Sequence, residues 1–189
     1  MRRLASALFL VTALLTACGG TDTEEGVDQG EESSTADFND ADVLFLQMMI
    51  PHHEQAVEMT ELATDRAASP EVKDLAAQIE QAQAPEIETM TGWLEDWGES
   101  VDMGGMDMRQ MDGMQGMLSD EQMASLEAAS GAEFDELFLT RMREHHVGAV
   151  VMAEEELDAG KFADAKALAQ TIIDTQEAEI ERIDELLEG

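Results

Sequence analysis

The chain has 189 residues, 43 of them Asp or Glu and only 10 Lys or Arg, giving a formal net charge of −33 at pH 7. A field of that sign repels phosphate and anionic headgroups and concentrates cations, which argues against nucleic acid as a partner. One cysteine leaves no intramolecular disulfide to be made, so metal chemistry in the folded part must rest on His, Met or carboxylate.

Arg2 and Arg3 precede an apolar run from Leu4 to Leu15, followed by Thr16, Ala17 and Cys18. The run is too short to span a bilayer, and its flanks are those of a cleaved export signal over residues 1–17. Leu15-Thr16-Ala17-Cys18 resembles the lipobox of bacterial lipoproteins, which implies lipidation on Cys18, a membrane anchor and an extracytoplasmic location. Residues 18–37 are Gly, Ser, Thr, Asp and Glu with almost nothing to bury, an acidic flexible tether.

One folded domain is expected over 38–189. To Arg66, the residues Leu44, Phe45, Met48, Met49, His52, Ala56, Met59 and Ala63 recur three and four apart, a helical stripe in which Pro51 predicts a kink just before His52. Ser69-Pro70-Glu71 reads as a cap, a first-turn proline and an acid at a positive helix end. The second helix then runs to about Trp97 with Pro85 as another kink, and Gly98 closes it, completing a first hairpin over 38–97. Residues 98–118 lack periodicity. Ser119-Asp120-Glu121-Gln122 has the form of a capping box opening a short helix to about Ala129. A helix over roughly Ala132 to Asp158 and another over Lys161 to Glu188 form a second hairpin, within 119–189.

The two hairpins repeat at a constant offset of 93 residues: Phe45 matches Phe138, Met49 Met142, His52 His145, His53 His146, Ala56 Ala149, Met59 Met152, Ile79 Ile172, Gln83 Gln176 and Glu86 Glu179. Neither hairpin can bury its stripe alone. The fold expected is therefore all-α, a ferritin-like four-helix bundle made of two duplicated helical hairpins about a pseudo-two-fold axis.

All four histidines fall in the repeat, within Met-x-x-His-His-x-x-Ala-x-x-Met. Met49, His52 and Met59 share one helix face, as do Met142, His145 and Met152, while His53 and His146 are turned about 100° away. Ferritin-like di-iron bundles present Glu-x-x-His; here Met49-Ile50-Pro51-His52 and Met142-Arg143-Glu144-His145 present a thioether instead. Thioether with imidazole favours copper, Cu(I) above all. The competing reading is ordinary core filling by Met with hydrogen-bonded histidines. Gln83, Glu86, Gln176 and Glu179 can orient the imidazoles, or else lie at a helix edge. Between the hairpins, Met103, Met106, Met108, Met111, Met114 and Met117 alternate with Gly, Asp, Gln and Arg, a set of thioethers suited to wrapping a soft ion or to serving as an oxidant sink.

The core Phe-Leu-x-x-Met-x-x-His-His-x-x-Ala, here Phe45 to Ala56 and Phe138 to Ala149, together with Gln83 to Leu94, resembles the family grouped as domain of unknown function 305. That resemblance implies an exported, ferritin-like helical fold and, since some members are described as copper-binding metallochaperones, copper as ligand. Arg143 and Glu144 depart from the apolar residue that usually follows the methionine. The function expected is a membrane-tethered copper-binding protein that sequesters copper or exchanges it with an envelope partner. Self-association is compatible with the sequence. No nucleophile–base pairing is evident, so no enzyme is expected. A helical interaction module of the cell envelope and, further off, a ferritin-like oxidase are the alternatives.

Overall fold

A computed structural model of the protein describes residues 37–102 and 116–189, and every regular element among them is a helix. The export signal, Cys18, the tether up to residue 36, and Met103, Met106, Met108, Met111 and Met114 lie outside the described residues. No helix among the described residues is long and apolar enough to cross a membrane.

Helix α1 spans Asp40–Arg66 and opens on a capping box in which Asn39 accepts from the Ala41 and Asp42 amides while Asp42 accepts from the Asn39 N–H. Helix α2 spans Pro70–Trp97. Ser69 caps it, Pro70 occupies the first turn, and Gly98 ends it at φ +73°, a left-handed conformation that glycine adopts without steric cost. Helix α3, Asp120–Ala128, carries the Ser119/Gln122 capping box, and α4, Ala132–Ala159, follows. Helix α5 covers Ala163–Glu188, starting two residues later than its composition suggests. The Lys161 and Phe162 amides are taken by Asp42 of α1, at 2.9 and 2.8 Å, so this cap comes from a distant residue that local sequence does not reveal. Both α1 and α2 remain helical through Pro51 and Pro85.

Helix α1 packs along α2, α4 along α5, and α1 also along α4, whereas α2 and α5 meet over less of their length. Asp42, at the start of α1, bonds the turn after α4, and Asp135, at the start of α4, bonds the turn after α1, so α1 and α4 run antiparallel. Because α1 faces two neighbours, it buries more than one stripe: Leu46, Ile50 and His53 are buried beside Phe45, Met49 and His52, while Leu44, expected in the core, is 50% exposed.

The apolar interior is divided. One cluster holds Ala56, Met59, Phe134, Phe138 and Met142, with Met123 and Leu126 of α3. The other holds Phe45, Met49, Met90, Leu94, Ala149 and Met152. On α1 and on α4 the histidine pair falls between the residues of these two clusters, forming a polar layer across the helix seam.

Candidate metal centre

All four histidines are buried, each with at most 1% of its surface exposed. His52 of α1 and His145 of α4 meet across the seam with ring centroids 3.7 Å apart and planes inclined at 35°. His53 and His146, turned away from that face, are not at the surface. Each lies against the other helix of its own hairpin, His53 Nε2 at 2.8 Å from Glu86 Oε2 and His146 Nε2 at 2.7 Å from Glu179 Oε2. The reason is the two-sided burial of α1 and α4, which a single-stripe reading underestimates.

These contacts fix chemistry. A carboxylate can only accept, so the Nε2 of His53 and of His146 is the nitrogen that carries a proton toward its glutamate, and in the neutral tautomer Nδ1 presents a lone pair. No protein donor among the described residues reaches either Nδ1. Both ring nitrogens of His145, both amide atoms of Gln83 and the amide oxygen of Gln176 are likewise buried without a protein hydrogen bond. Each such atom costs roughly 1–3 kcal/mol if left unsatisfied. Burial holds His145 well below the ordinary imidazole range, and His52, His146 and His53 push it the same way. A neutral imidazole is the ligating form, so protons offer little competition here. This donor chemistry fits a cation.

Met49, Met142 and Met59 are fully buried and Met152 nearly so. They do not form one ring: Met49 and Met152 belong to one apolar cluster, Met142 and Met59 to the other, so the histidine layer has thioethers on both sides. Among the described residues no three His, Cys, Asp or Glu side chains converge into a metal-binding group. A cation here would have to be held by imidazole pairs completed by thioether. Gln83 and Gln176 are buried one helical turn before Glu86 and Glu179, but the imidazole bonds found are those of the two glutamates.

Sequence reasoning missed how the methionine-rich segment returns. Gly116 sits at φ +84°, and a Cβ there would lie 2.4 Å from the Glu144 carbonyl oxygen and 3.0 Å from His145 Cα. Two residues on, Leu118 exchanges hydrogen bonds of 2.8 and 3.0 Å with the Gln55 side chain of α1 and is itself buried in the core. Half-buried Met117 stands between these anchors, so the end of this segment is packed beside His145.

The family model described as "Domain of unknown function (DUF305)" matches residues 42–187. Among solved structures, a DUF305 protein from Streptomyces coelicolor, described as secreted, is 36% identical with a TM-score of 0.72, covering 78% of this chain and 91% of that one. A DUF305 fragment from Deinococcus radiodurans is 30% identical with a TM-score of 0.72, covering 79% and 96%. CopM in its Cu(II)-bound form is 33% identical with a TM-score of 0.69, covering 78% and 95%; its Cu(I)-bound, silver-bound and apo forms are similar to this chain as well. None of the curated proteins compared with the chain matches it.

Proposed function

Since the chain belongs to the DUF305 family, over residues 42–187, we propose that it binds copper as cargo at the seam of two repeated hairpins, sequestering it or handing it on. The observation that carries this reading is the contact of His52 with His145 inside a buried, histidine-bearing layer flanked by methionines. The copper- and silver-bound forms of CopM support the class of metal. Imidazole and thioether select a soft, low-coordinate ion, which accords with the absence of a three-carboxylate or carboxylate–histidine cage among the described residues. Copper would be held by His52 and His145, with Met49 and Met142 at hand on either side and His53 and His146 oriented by Glu86 and Glu179. This chain's own part is to exclude water, keep His145 neutral and supply soft donors; no catalytic step follows.

The same reading takes the fold as a ferritin-like four-helix bundle made of two copies of one hairpin. It places the domain outside the cytoplasmic membrane, tethered through lipid on Cys18, with an envelope protein as copper donor or acceptor. The methionines from Met103 to Met117 add capacity. A helical interaction module is the second reading, favoured by an open groove on α4 and α5 where Val147 and Val151 are 43% and 38% exposed.

The deciding experiment is a Cu(I) competition titration of the protein and its His52→Ala, His145→Ala and double variants. Weaker binding in each single variant supports a copper site; affinity unmoved in all three leaves the histidines as packing residues and the interaction module as the better reading.

A further inference from the structure

The repeat breaks at one end of the α1–α4 seam. Where the second half of the repeat places Phe134 and Arg141, the first has Ala41 and Met48; where the first has Leu62, Ala63 and Arg66, the second has Glu155, Glu156 and Ala159. At the end that carries Phe134 and Phe138, Phe134 and Ala63 lie in a core cluster with Leu62 packed against it, and Met123 and Leu126 of α3 belong to the same cluster. At the other end the small residues leave a cavity of about 130 Å³ between α1 and α4, lined by Met48, Met152, Phe45 and Glu156, with Ala41 and Ala159 among the remaining lining residues.

Glu156 is 2% exposed, and no protein donor reaches either of its carboxylate oxygens. Its neighbour is another acid, Asp42 of α1, which accepts from the Asn39, Lys161 and Phe162 amides and shares a side-chain hydrogen bond with Glu156, so that one of the two carboxyls carries the proton between them. Gly160 makes room for it, since a Cβ at that position would lie 2.1 Å from Glu156 Oε1. A buried carboxyl whose one partner among the described side chains is another acid, in a cavity with two thioethers, has the composition of a counter-charge that a cation can take over from a proton. Position adds to this. Met48 precedes His52 by one helical turn on α1, and Met152 follows His145 by two turns on α4; as the helices are antiparallel, both lie on the same side of the histidine pair.

We propose that this cavity is a separate station for a soft monovalent cation, held by the Met48 and Met152 thioethers with the Glu156 carboxylate as counter-charge, between solvent and the His52–His145 pair. It rests on the copper reading above and adds a route to it. Glu156 holds a proton at neutral pH, because burial and then the Asp42 carboxylate push it up to about 8 against the opposing pull of Lys166. The incoming cation replaces that proton one for one, so the cavity's net charge is unchanged and the proton leaves to solvent.

Silver(I), which is redox-inert, tests the station in the full-length chain by NMR of isotope-labelled methionine methyl groups, with Met48→Leu and Met152→Leu supplying the assignments. In the His52→Ala/His145→Ala variant silver still shifts the Met48 and Met152 methyl signals and releases protons. Adding Glu156→Gln weakens that response at least about tenfold and abolishes the proton release. Two results overturn the station while leaving the copper reading intact: silver binds the wild type without moving these two methyl signals, or their shifts vanish with the histidines. Wild-type protein that binds neither copper nor silver overturns both. Methyl shifts that persist while Cu(I) affinity ignores the histidine variants overturn the copper reading at the seam and leave the cavity as a site of its own.

Discussion

Asp42 and Asp135 do the same work from opposite hairpins: Asp42 accepts from the Lys161 and Phe162 amides beyond α4, and Asp135 accepts from the Ala68 and Ser69 amides beyond α1. The two acids and the two pairs of amides are each separated by the same offset as the histidines, 93 residues. Each helix start is thereby tied to the far end of its antiparallel neighbour. Replacing Asp135 by Ala leaves two backbone donors without this partner, and replacing Asp42 leaves three, since the Asn39 amide also loses its acceptor; each change is expected to destabilise by about 1–3 kcal/mol, measurable by urea denaturation with an unchanged m-value.

Asp42 also sets an acid limit. Burial pushes its carboxyl up, but the Phe162, Asn39 and Lys161 amides together with Glu156 outweigh this and hold it below the ordinary value of 3.8. The stability it contributes is full above 3.8 and is lost as pH falls through the lower folded value. Thermal melts from pH 5 to pH 2 should show a loss that Asp42→Asn reduces; equal acid loss in both proteins rules the assignment out.

Glu156 acts in the opposite sense. Its carboxyl is raised from 4.5 to about 8, so the folded state holds a proton that the unfolded chain has given up. The corresponding stability is full below pH 4.5 and declines until pH passes about 8. Glu156→Gln keeps the shape and a donor toward Asp42 while removing the titration. Its melting temperature at pH 9 should exceed that of the wild type by at least roughly 2–4 °C, the shift that 1 kcal/mol makes in a domain of this size, with no gain at pH 4.

The glutamates behind the buried histidines give a test of positioning. Glu86→Gln and Glu179→Gln remove the charge that fixes the Nε2–H tautomer of His53 and His146, and each should weaken Cu(I) binding by about 10–100-fold. A merely structural role predicts lower melting temperature with copper affinity unmoved, so both quantities are measured on the same preparations.

His52 and His145 touch, so their contributions to copper binding should not add. The double Ala variant is expected to lose little more affinity than either single variant, the mark of one shared site. Affinity should change less between pH 7.5 and pH 5 than at an exposed histidine site, because burial already keeps His145 neutral. Additive losses with a stepwise fall in stoichiometry speak for one ion per hairpin instead.

Much of the helical layout was legible because its signals are local: Ser69-Pro70, Gly98 and the Ser119/Gln122 box act within a few residues of where they stand. The start of α5 was not, since Asp42 supplies its cap from 119 and 120 residues away. The contact of His52 with His145 follows from a shared face and a two-fold repeat, whereas burial of His53 and His146 depends on helices packed on two sides. Gln55 and Gly116 carry no pattern at all; their importance arises only where the returning segment meets α1 and α4.

The imidazole layer between the two apolar clusters also restricts how the hairpins can dock. Sliding α1 along α4 by one turn, about 5.4 Å, would press His52 against methyl and phenyl groups and separate the tethers at Asp42 and Asp135 from their amides. Apolar clusters alone tolerate such slippage, since Leu and Met repack at little cost. The histidines proposed to hold the cation are thus also the ones that set the register of the core, and a histidine-free version should gain stability while losing a unique alignment of its helices.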